Sequence, residues 1–350
     1  MKYWNTRLKN MTEYIPGEQP QDIDEYIKLN TNENPFPPSK QVLEAIKEAA
    51  NEKLKLYPDP KSTNLRELFA EQNDLKAENI FIGNGSDEIF TLLFRGFVEQ
   101  TGSAAFSYPS YSLYFTMAEA YGINYEKINP EKDFRINLQK FTEKEYDLII
   151  ISNPNNPTGI GFDINDVRVF LKNYKGLLVA DEAYVDFYGE SVISLVNEFE
   201  NIIITRSFSK SYSLAGLRVG IAVANPEIIN GFFKLKDSYN VNRISEAGAI
   251  AALKDTKSFK YNIEMIRNNK EYMEEQLRNL NFEIIPSKAN FLFIKHPQVR
   301  ALKIYEELKR KKILVRYFQG PVQSEYLRIT VGTMMQIKTL INELVAITEA

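Results

Sequence analysis

Three short apolar runs near the middle of the chain constrain its fold more than any other feature. They read DLIIIS at 147–152, GLLVA at 176–180 and NIIITRSF at 201–208, and helical patterns separate several such runs. A run that is apolar at every position suits a strand buried on both faces of a parallel sheet, because a half-exposed strand alternates with polar residues. Strands of this kind that alternate with helices predict an open α/β sheet.

The pattern of the chain changes at two places, which predict three segments. Residues 1–40 are rich in Pro, Asn and Glu, and proline disfavours helix in the residue before it. A disordered tail is the alternative there, but the strand-like piece YIKLNTNENP favours an ordered arm. Alternating helices and strands predict a large domain over 41–238. A long helical region followed by FEIIP, NFLFIK, KILVR and YLRITV predicts a smaller α+β domain over 239–350.

Composition excludes several classes of function. The 350 residues carry a net charge of −3 and no basic block, which argues against a nucleic-acid partner. The chain has no apolar run near the roughly 18 residues that span a bilayer, and its N-terminus lacks a signal-peptide core, so we expect no membrane segment and a cytoplasmic location. With no cysteine and a single histidine, His296, we expect no metal site, no thiol catalysis and no Ser-His-Asp triad.

Polar groups follow the predicted strands, where open α/β sheets bind ligands. FIGNGSDE is a strand that turns into a helix through Gly83 and Gly85. Glycine adopts backbone angles closed to other residues, and the free N–H groups of a helix start suit an anion such as phosphate. Ser86 and Asp87 at this start are therefore candidate phosphate-binding residues, with plain helix capping as the alternative.

Two further loops carry candidate side chains. Pro154 and Pro157 stiffen SNPNNPTG and present Asn156 in a set direction, although a plain turn would use the same residues. We predict a cis peptide bond between Asn156 and Pro157. In VADEAYVDF, Asp181 follows a buried strand, where a carboxylate is costly to bury without a partner. A metal ion could be that partner, but the sequence shows no second cluster of ligands; a protonated heterocycle nitrogen is the other candidate.

Lys210 lies in the serine-rich segment SFSKSYSLAGLRVG. A lysine becomes a nucleophile when a desolvated, cationic setting lowers its pKa, and its common use is a Schiff base with an aldehyde cofactor. Ser207, Ser209 and Arg218 are candidates to hold an anionic group beside it. Pyridoxal phosphate needs an amine, a carboxylate facing its ring nitrogen and a phosphate cradle, and each has a candidate here after a separate strand.

The segments SNPNNPTG, DEAYVDF, SFSKSYSLAGLRVG and LRITVGT resemble the motif series of the fold-type-I pyridoxal-phosphate aminotransferases, in matching order over nearly the whole chain. Within that family the chain most resembles the histidinol-phosphate aminotransferases, through YIPGEQP, LNTNENPFP, YPDP, ILVRYF and YLRITVGT. The resemblance implies a large domain with a mostly parallel seven-stranded sheet, a smaller domain and an arm that joins the small domain and covers the active site.

The resemblance also implies roles for the cofactor site. Lys210 would bind the aldehyde of pyridoxal 5′-phosphate and then move a proton at the substrate α-carbon. Asp181 would pair with the ring nitrogen. Asn156 and Tyr184 would bind the ring oxygen, and Tyr111 would stack on the ring face. The cofactor phosphate would be held by Ser86, Asp87, Ser207, Ser209 and Arg218.

For the substrates, the resemblance implies that Arg328 clamps a carboxylate, as in glutamate or 2-oxoglutarate, and that Arg316 and Tyr14 bind the phosphate of histidinol phosphate. Tyr57, in YPDP, would reach the cofactor phosphate of a neighbouring subunit. This last role implies a homodimer with shared active sites, whose partners are otherwise a small-molecule amino donor and a 2-oxo acid acceptor.

Two alternatives remain at this point. An aromatic amino acid aminotransferase or a threonine-phosphate decarboxylase has a similar cofactor site, although NTNENP favours the transaminase. A nucleotide-binding or regulatory protein is the alternative from another class, but GNGSDE and SLAGLRVG fit neither G-x-x-x-x-G-K-[ST] nor G-x-G-x-x-G.

Overall fold

The computed structural model describes residues 2–11 and 13–349 of the protein. The helices, in chain order, are α1 Thr6–Asn10, α2 Lys40–Ala49, α3 Thr63–Gln72, α4 Gly85–Gly96, α5 Leu113–Tyr121, α6 Ile164–Asn173, α7 Val185–Tyr188, α8 Pro226–Leu235, α9 Arg243–Lys254, α10 Thr256–Asn279, α11 Ala301–Arg310 and α12 Met334–Thr348. The strands, in chain order, are β1 Ile27–Lys28, β2 Ile80–Asn84, β3 Ser103–Ser107, β4 Asn124–Ile128, β5 Leu148–Ser152, β6 Leu177–Asp181, β7 Ile202–Ser207, β8 Val219–Ala224, β9 Glu283–Ile285, β10 Phe291–Lys295, β11 Ile313–Leu314, β12 Arg316–Tyr317 and β13 Leu327–Thr330.

A seven-stranded sheet forms the centre of the large domain. Its spatial order is β2-β8-β7-β6-β5-β3-β4. Strand β8 runs antiparallel to β2 and β7, and the remaining pairs are parallel. The three apolar runs at 147–152, 176–180 and 201–208 become the neighbouring strands β5, β6 and β7. The predicted mostly parallel sheet is therefore confirmed.

The two faces of this sheet are covered by different helices. Ile149 and Ile151 of β5 pack in a core with α2, α3, α6 and α9, whereas Leu148 and Ile150 pack in a second core with α4, α5 and α8. Successive residues of a strand point to opposite faces, so burial on both faces requires apolar residues at every position. This requirement explains the continuous apolar runs.

The smaller domain contains an antiparallel sheet in the order β12-β13-β10-β9. Its apolar side packs in a common core with α10, α11 and α12. Strand β1 of the arm pairs in parallel with β11, with Ile27 opposite Ile313. The division at residues 40 and 239 stays a prediction; α9, which follows the second boundary, packs against α2 of the large domain, whereas α10 packs against α12 within the smaller one.

A helix that crosses a bilayer needs about 20 consecutive, mostly apolar residues. Within residues 2–11 and 13–349, no helix has both the length and the apolar character needed to cross a bilayer.

Candidate active site

A cavity of about 450 Å³ lies where the carboxyl ends of β5, β6 and β7 face the arm and the small domain. The last residue of each strand lines it, namely Ser152, Asp181 and Ser207. This volume is typical of a site for a small organic ligand. The sequence-predicted residues that line the cavity are Tyr14, Ser86, Asp87, Tyr111, Asn156, Asp181, Tyr184, Ser207, Ser209, Lys210, Arg218, Arg316 and Arg328.

Two glycines allow the backbone to close tightly at one part of this cavity. A Cβ atom on Gly220 of β8 would come within 2.4 Å of the backbone of Gly85 and Ser86. Gly85 has a φ of +76°, and a Cβ there would lie 2.5 Å from Nη2 of Arg218. The first turn of α4 is thus pressed against β8 and Arg218, and the side chain of Asn84 does not cap it. Its free N–H groups are therefore available to an anion, and this turn is a candidate anion site.

Arg218 completes this anion site from the start of β8. Its backbone is left-handed, with a φ of 54°, which turns its side chain back toward α4. The Nη1 atom donates to Oγ of Ser209 at 3.4 Å, and Nη2 lies 2.9 Å from Oδ2 of Asp87. Ser207 Oγ accepts from the backbone N–H of Ser209 at 3.2 Å. Serine hydroxyls, a guanidinium and a helix start therefore converge, as a phosphate group requires.

Asp181 presents a buried carboxylate to the cavity. Its Oδ1 accepts from Thr205 Oγ1 and from the backbone N–H of Ala183, both at 3.1 Å, and its Oδ2 accepts from Tyr114 at 2.5 Å. Burial raises the pKa of Asp181, and these hydrogen bonds oppose the increase. The neighbouring Glu182 does not line the cavity and accepts instead from the backbone of Val192 at 2.7 Å.

Lys210 extends its amine into the same cavity. Its Nζ donates to the backbone carbonyl of Thr31 at 2.9 Å and lies 5.8 Å from the ring centroid of Tyr184. Burial lowers the pKa of Lys210 to about 8, the carboxylate of Glu33 opposes that decrease, and Arg328 adds to it. A substantial share of this amine is therefore neutral near pH 8, as nucleophilic attack and proton abstraction require.

Arg328 on β13 connects the small domain to the loop after β5. Its Nη1 donates to Oδ1 of Asn156 at 2.5 Å, and its Nη2 donates to the carbonyl of Asn30 at 2.6 Å. Its buried Nε has no hydrogen-bond partner among the described residues. Burial lowers the pKa of Arg328 to about 10, and nearby Arg316 adds to that effect. The predicted cis peptide at Asn156–Pro157 is confirmed.

Arg316 lies opposite Arg328 in the register of β12 and β13, so both guanidinium groups reach the cavity from neighbouring strands. Arg316 also holds the arm: Nη2 donates to the carbonyl of Ile15 and Nη1 to that of Pro16, both at 3.1 Å. Tyr14, the residue before Ile15, packs edge-on against Tyr111 with ring centroids 6.1 Å apart. These two arginines give this part of the cavity a positive charge.

Tyr184 and Tyr57 are placed differently. The Tyr184 hydroxyl lines the cavity and accepts from Nδ2 of Asn32 at 3.0 Å. Tyr57 does not line the cavity of its own chain; it is 77% exposed and stacks on Tyr239 at 4.3 Å. Tyr57 is the one predicted site residue that the fold does not bring to this cavity.

Sequence reasoning missed several groups that support the site. Tyr114 and Thr205 hold the carboxylate of Asp181, while Thr31 and Glu33 approach Lys210 from the arm. Thr205 lies two residues before Ser207 on β7, so its direction into the same site was accessible from strand periodicity. Tyr114 comes from a helix that no local pattern singled out, and Thr31 lies in LNTNENPFP, a motif that carried the resemblance but gave Thr31 no role.

The lining agrees with the three reactive groups of pyridoxal phosphate. The cradle of Gly85, Gly220 and Arg218 suits the phosphate, the buried Asp181 suits a protonated ring nitrogen, and the partly neutral Lys210 suits the aldehyde. Because Oδ1 of Asn156 is taken by Arg328, its amide N–H₂ remains to face a ring oxygen.

Comparisons with known proteins agree with this geometry. A family model described as "Aminotransferase class I and II" matches residues 24–344. Histidinol-phosphate aminotransferase 1 of Oceanobacillus iheyensis is 42% identical over 347 residues, covering 98% of this chain and 97% of the relative. Histidinol-phosphate aminotransferase of Clostridium botulinum is 41% identical over 354 residues, covering 98% of this chain and 99% of the relative.

A solved structure gives the same result for the fold. Histidinol-phosphate aminotransferase from Sinorhizobium meliloti, in complex with pyridoxal-5′-phosphate, superimposes with a TM-score of 0.92 at 24% identity, covering 100% of this chain and 98% of the other. The chain belongs to the aminotransferase class I and II family, in the branch of the histidinol-phosphate aminotransferases.

Proposed function

We propose that the protein is a pyridoxal-phosphate-dependent aminotransferase that converts histidinol phosphate and 2-oxoglutarate into imidazole-acetol phosphate and glutamate, a step of histidine biosynthesis. The observation that carries the proposal is a single cavity that joins Lys210, the buried Asp181 and the Arg218 cradle to two further arginines, Arg316 and Arg328. The named relatives at 41–42% identity support the choice of amino donor.

The large domain would hold the cofactor. Arg218, Ser207, Ser209 and the first turn of α4 would bind its phosphate, and Asp181 would accept a hydrogen bond from its ring nitrogen. Asn156 and Tyr184 would donate to its ring oxygen, while Tyr111 would cover its ring face. When bound, pyridoxal phosphate supplies an electron sink for the bond that breaks at the substrate α-carbon.

Lys210 would carry the proton. Its Nζ takes a proton from the substrate α-carbon and returns it at the neighbouring reacting carbon. A base whose pKa is about 8 can both accept and release a proton near neutral pH, because neither protonation nor deprotonation is strongly unfavourable there. Tyr14 and the arm above the cavity exclude water from this transfer.

The two arginines of the small domain would select the substrates. Arg328 keeps its buried Nε as a free donor for a carboxylate oxygen, and Arg316 has three guanidinium N–H groups beyond the two that hold the arm. Both substrates carry anionic groups: two carboxylates on 2-oxoglutarate and one phosphate on histidinol phosphate. Arg316 and Tyr14 would bind that phosphate.

We further propose a cytoplasmic homodimer. Tyr57 is exposed beside the similarly exposed Leu54 and Leu56, and an apolar patch of this kind is typical of an interface between subunits. In the dimer, Tyr57 would reach the cofactor phosphate of the neighbouring subunit. Sedimentation of the loaded protein at micromolar concentration tests this, since a monomer would leave Tyr57 without a site.

A half-reaction tests the proposed activity. The visible spectrum of the cofactor-loaded protein is followed after adding histidinol phosphate, glutamate, phenylalanine or threonine phosphate, each alone. We expect rapid conversion to the amine form of the cofactor with the first two. Conversion by phenylalanine but not by histidinol phosphate would indicate the aromatic aminotransferase, and release of CO₂ from threonine phosphate would indicate the decarboxylase.

A further inference from the structure

An ion pair on the arm lies next to the proposed catalytic lysine, and the mechanism above does not use it. Lys28 Nζ donates to Oε1 of Glu33 and to Oγ1 of Thr31, and Thr31 Oγ1 donates to Oε2 of Glu33. The backbone carbonyl of the same Thr31 accepts from Lys210 Nζ at 2.9 Å. Lys28, Thr31, Glu33 and Lys210 therefore form one connected set, the arm cluster.

The pair is more buried than a surface ion pair. The Lys28 side chain is 13% exposed and that of Glu33 is 38% exposed, and Glu33 lines the active-site cavity whereas Lys28 lies behind it. Desolvation of an ion pair offsets much of its attraction, so its value for stability is small. A chemical role in the cavity accounts better for its position.

The charges around each member show what that role is. Burial raises the pKa of Glu33, but hydrogen bonds from Lys28 and Thr31 and the charges of both lysines outweigh this, so Glu33 is ionised at neutral pH. Burial lowers the pKa of Lys28, Glu33 opposes the decrease, and the charge of Lys210 adds to it. The charged and titratable side chains near Lys210 include Glu33, Arg328, Asp87, Arg218, Lys28 and Tyr184.

Among the four side-chain charges with the largest effect on Lys210, two oppose its ammonium form and two favour it. Arg328 and Arg218 repel a protonated Nζ, while Glu33 and Asp87 attract it, Glu33 more strongly. Asp87 is already paired with Arg218 at 2.9 Å. Glu33 is thus the main negative charge that stabilises the protonated state of Lys210 after the amine has taken a proton from the substrate.

We propose that Glu33 is a positioning residue that raises the proton affinity of Lys210 through the arm cluster, and that Lys28 moderates this effect by neutralising part of the carboxylate charge. The inference rests on the proposed role of Lys210 but not on the identity of the amino donor. Because Glu33 and the Thr31 carbonyl belong to the arm, Lys210 has its working proton affinity when the arm is in place.

Competitive acetylation of the cofactor-free protein tests this directly. The full chain is treated with trace acetic anhydride between about pH 6 and 10, and the label on the peptide containing Lys210 is measured by mass spectrometry. We expect the midpoint of Lys210 labelling to fall by about one pH unit in Glu33→Gln and to rise in Lys28→Gln, since removal of an attracting or a repelling charge has opposite effects.

The chain offers a matched control on the same arm. Lys312 and Glu25 form another Lys–Glu pair, but both are more than half exposed and neither lines the cavity. Glu25→Gln should leave the labelling midpoint of Lys210 unchanged. A shift as large as that of Glu33→Gln would overturn the proposal, because it would show a general effect of arm charge.

A second readout follows the cofactor. In the loaded protein, the pH midpoint of the visible absorbance should likewise fall in Glu33→Gln and rise in Lys28→Gln. An unchanged midpoint in Glu33→Gln, or movement of both variants in one direction, would overturn the proposal. If Glu33→Gln does not fold, the sign of the shift in Lys28→Gln alone decides. Acetylation uses no amino donor, so failure with histidinol phosphate would defeat the proposed function and leave this result intact.

Discussion

The two sides of the cavity are assembled in different ways. On the sheet side, Asp181, Ser207, Lys210 and Arg218 follow one another within residues 181–218, at the ends of neighbouring strands. On the arm side, contacts join opposite ends of the chain: Arg316 holds Ile15 across 301 residues, and Arg328 holds Asn30 across 298. The sheet side is built on the most buried strands, whereas the arm side depends on a segment held by the short β1–β11 pairing and by side chains from the far end of the chain.

This difference separates two kinds of function. The roles proposed for the sheet-side groups all concern the cofactor, which is the same in both half-reactions. On the arm side, Arg316 and Tyr14 are proposed to face the part of the substrate that differs between one donor and another, whereas Glu33 is proposed to act on Lys210. Sheet-side changes, and changes at Glu33, should therefore affect turnover with every donor alike, and changes at Arg316 or Tyr14 should distinguish between donors.

Replacement of Lys210 by alanine should have the largest effect. We expect a loss of at least about 10³-fold in kcat with both histidinol phosphate and glutamate, because the group that moves the proton is gone. Single-turnover spectra of the variant measure this. Lys257→Ala, an exposed lysine on α10, is the control and should retain full activity. Substantial transamination by Lys210→Ala would defeat the assignment of the catalytic lysine.

Asp181→Asn should have the next largest effect, again equal for both donors. We expect kcat to fall about 10²-fold or more, since an amide cannot supply the charge that keeps the ring nitrogen protonated. Glu182→Gln is the matched comparison, because Glu182 is equally buried but faces Ser191, Val192 and Arg206 instead of the cavity. That variant should lose thermal stability with a much smaller change in kcat. The reverse pattern would show that the two carboxylates had been assigned the wrong roles.

The same comparison explains what could be predicted from the sequence. The strands, Asp181 and the cradle around Arg218 follow from local rules: buried strands are apolar throughout, and ligand groups follow their carboxyl ends. The hydrogen bond from Tyr114 to Asp181 spans 67 residues and that from Lys210 to Thr31 spans 179. Such contacts depend on how helix and arm pack in three dimensions, and no periodicity in the sequence encodes them.

Arg316 shows a further limit. The family resemblance assigned it to a substrate phosphate, but nothing in ILVRYF indicates that two of its N–H groups also hold the arm at Ile15 and Pro16. A local segment can identify a charged residue near a site. It cannot identify which backbone carbonyls, three hundred residues earlier, accept hydrogen bonds from that charged residue.

Arg316→Ala should change kcat/KM for the two donors unequally, because Arg316 is proposed to bind a phosphate that only histidinol phosphate carries. We expect kcat/KM for histidinol phosphate to fall about 10- to 100-fold, as for loss of a charged hydrogen bond, and kcat/KM for glutamate to fall far less. Steady-state kinetics with each donor measure the ratio. Arg316→Lys is a useful second variant, because it keeps the charge but cannot make the same paired contacts with the arm. Equal losses for both donors would remove Arg316 from a selective role.

Tyr114→Phe should have the smallest effect and is the sharpest test of the sheet side, because it removes only a hydroxyl group. The hydrogen bond from Tyr114 opposes the increase in the pKa of Asp181 that burial causes, so its loss raises that pKa further. The ionised carboxylate then disappears at a higher pH. We expect the acidic limb of the kcat profile to move to higher pH, with a loss of less than about 10-fold at neutral pH.

Thr205→Val removes a second hydrogen bond from the same carboxylate and should shift the profile in the same direction. Both variants should move the profile equally for histidinol phosphate and for glutamate, since Asp181 faces the cofactor in each half-reaction. A shift that depends on the donor would mean that the sheet side also senses the substrate. In that case, the proposed separation of cofactor-binding groups on the sheet side from donor-selecting groups on the arm side would be wrong.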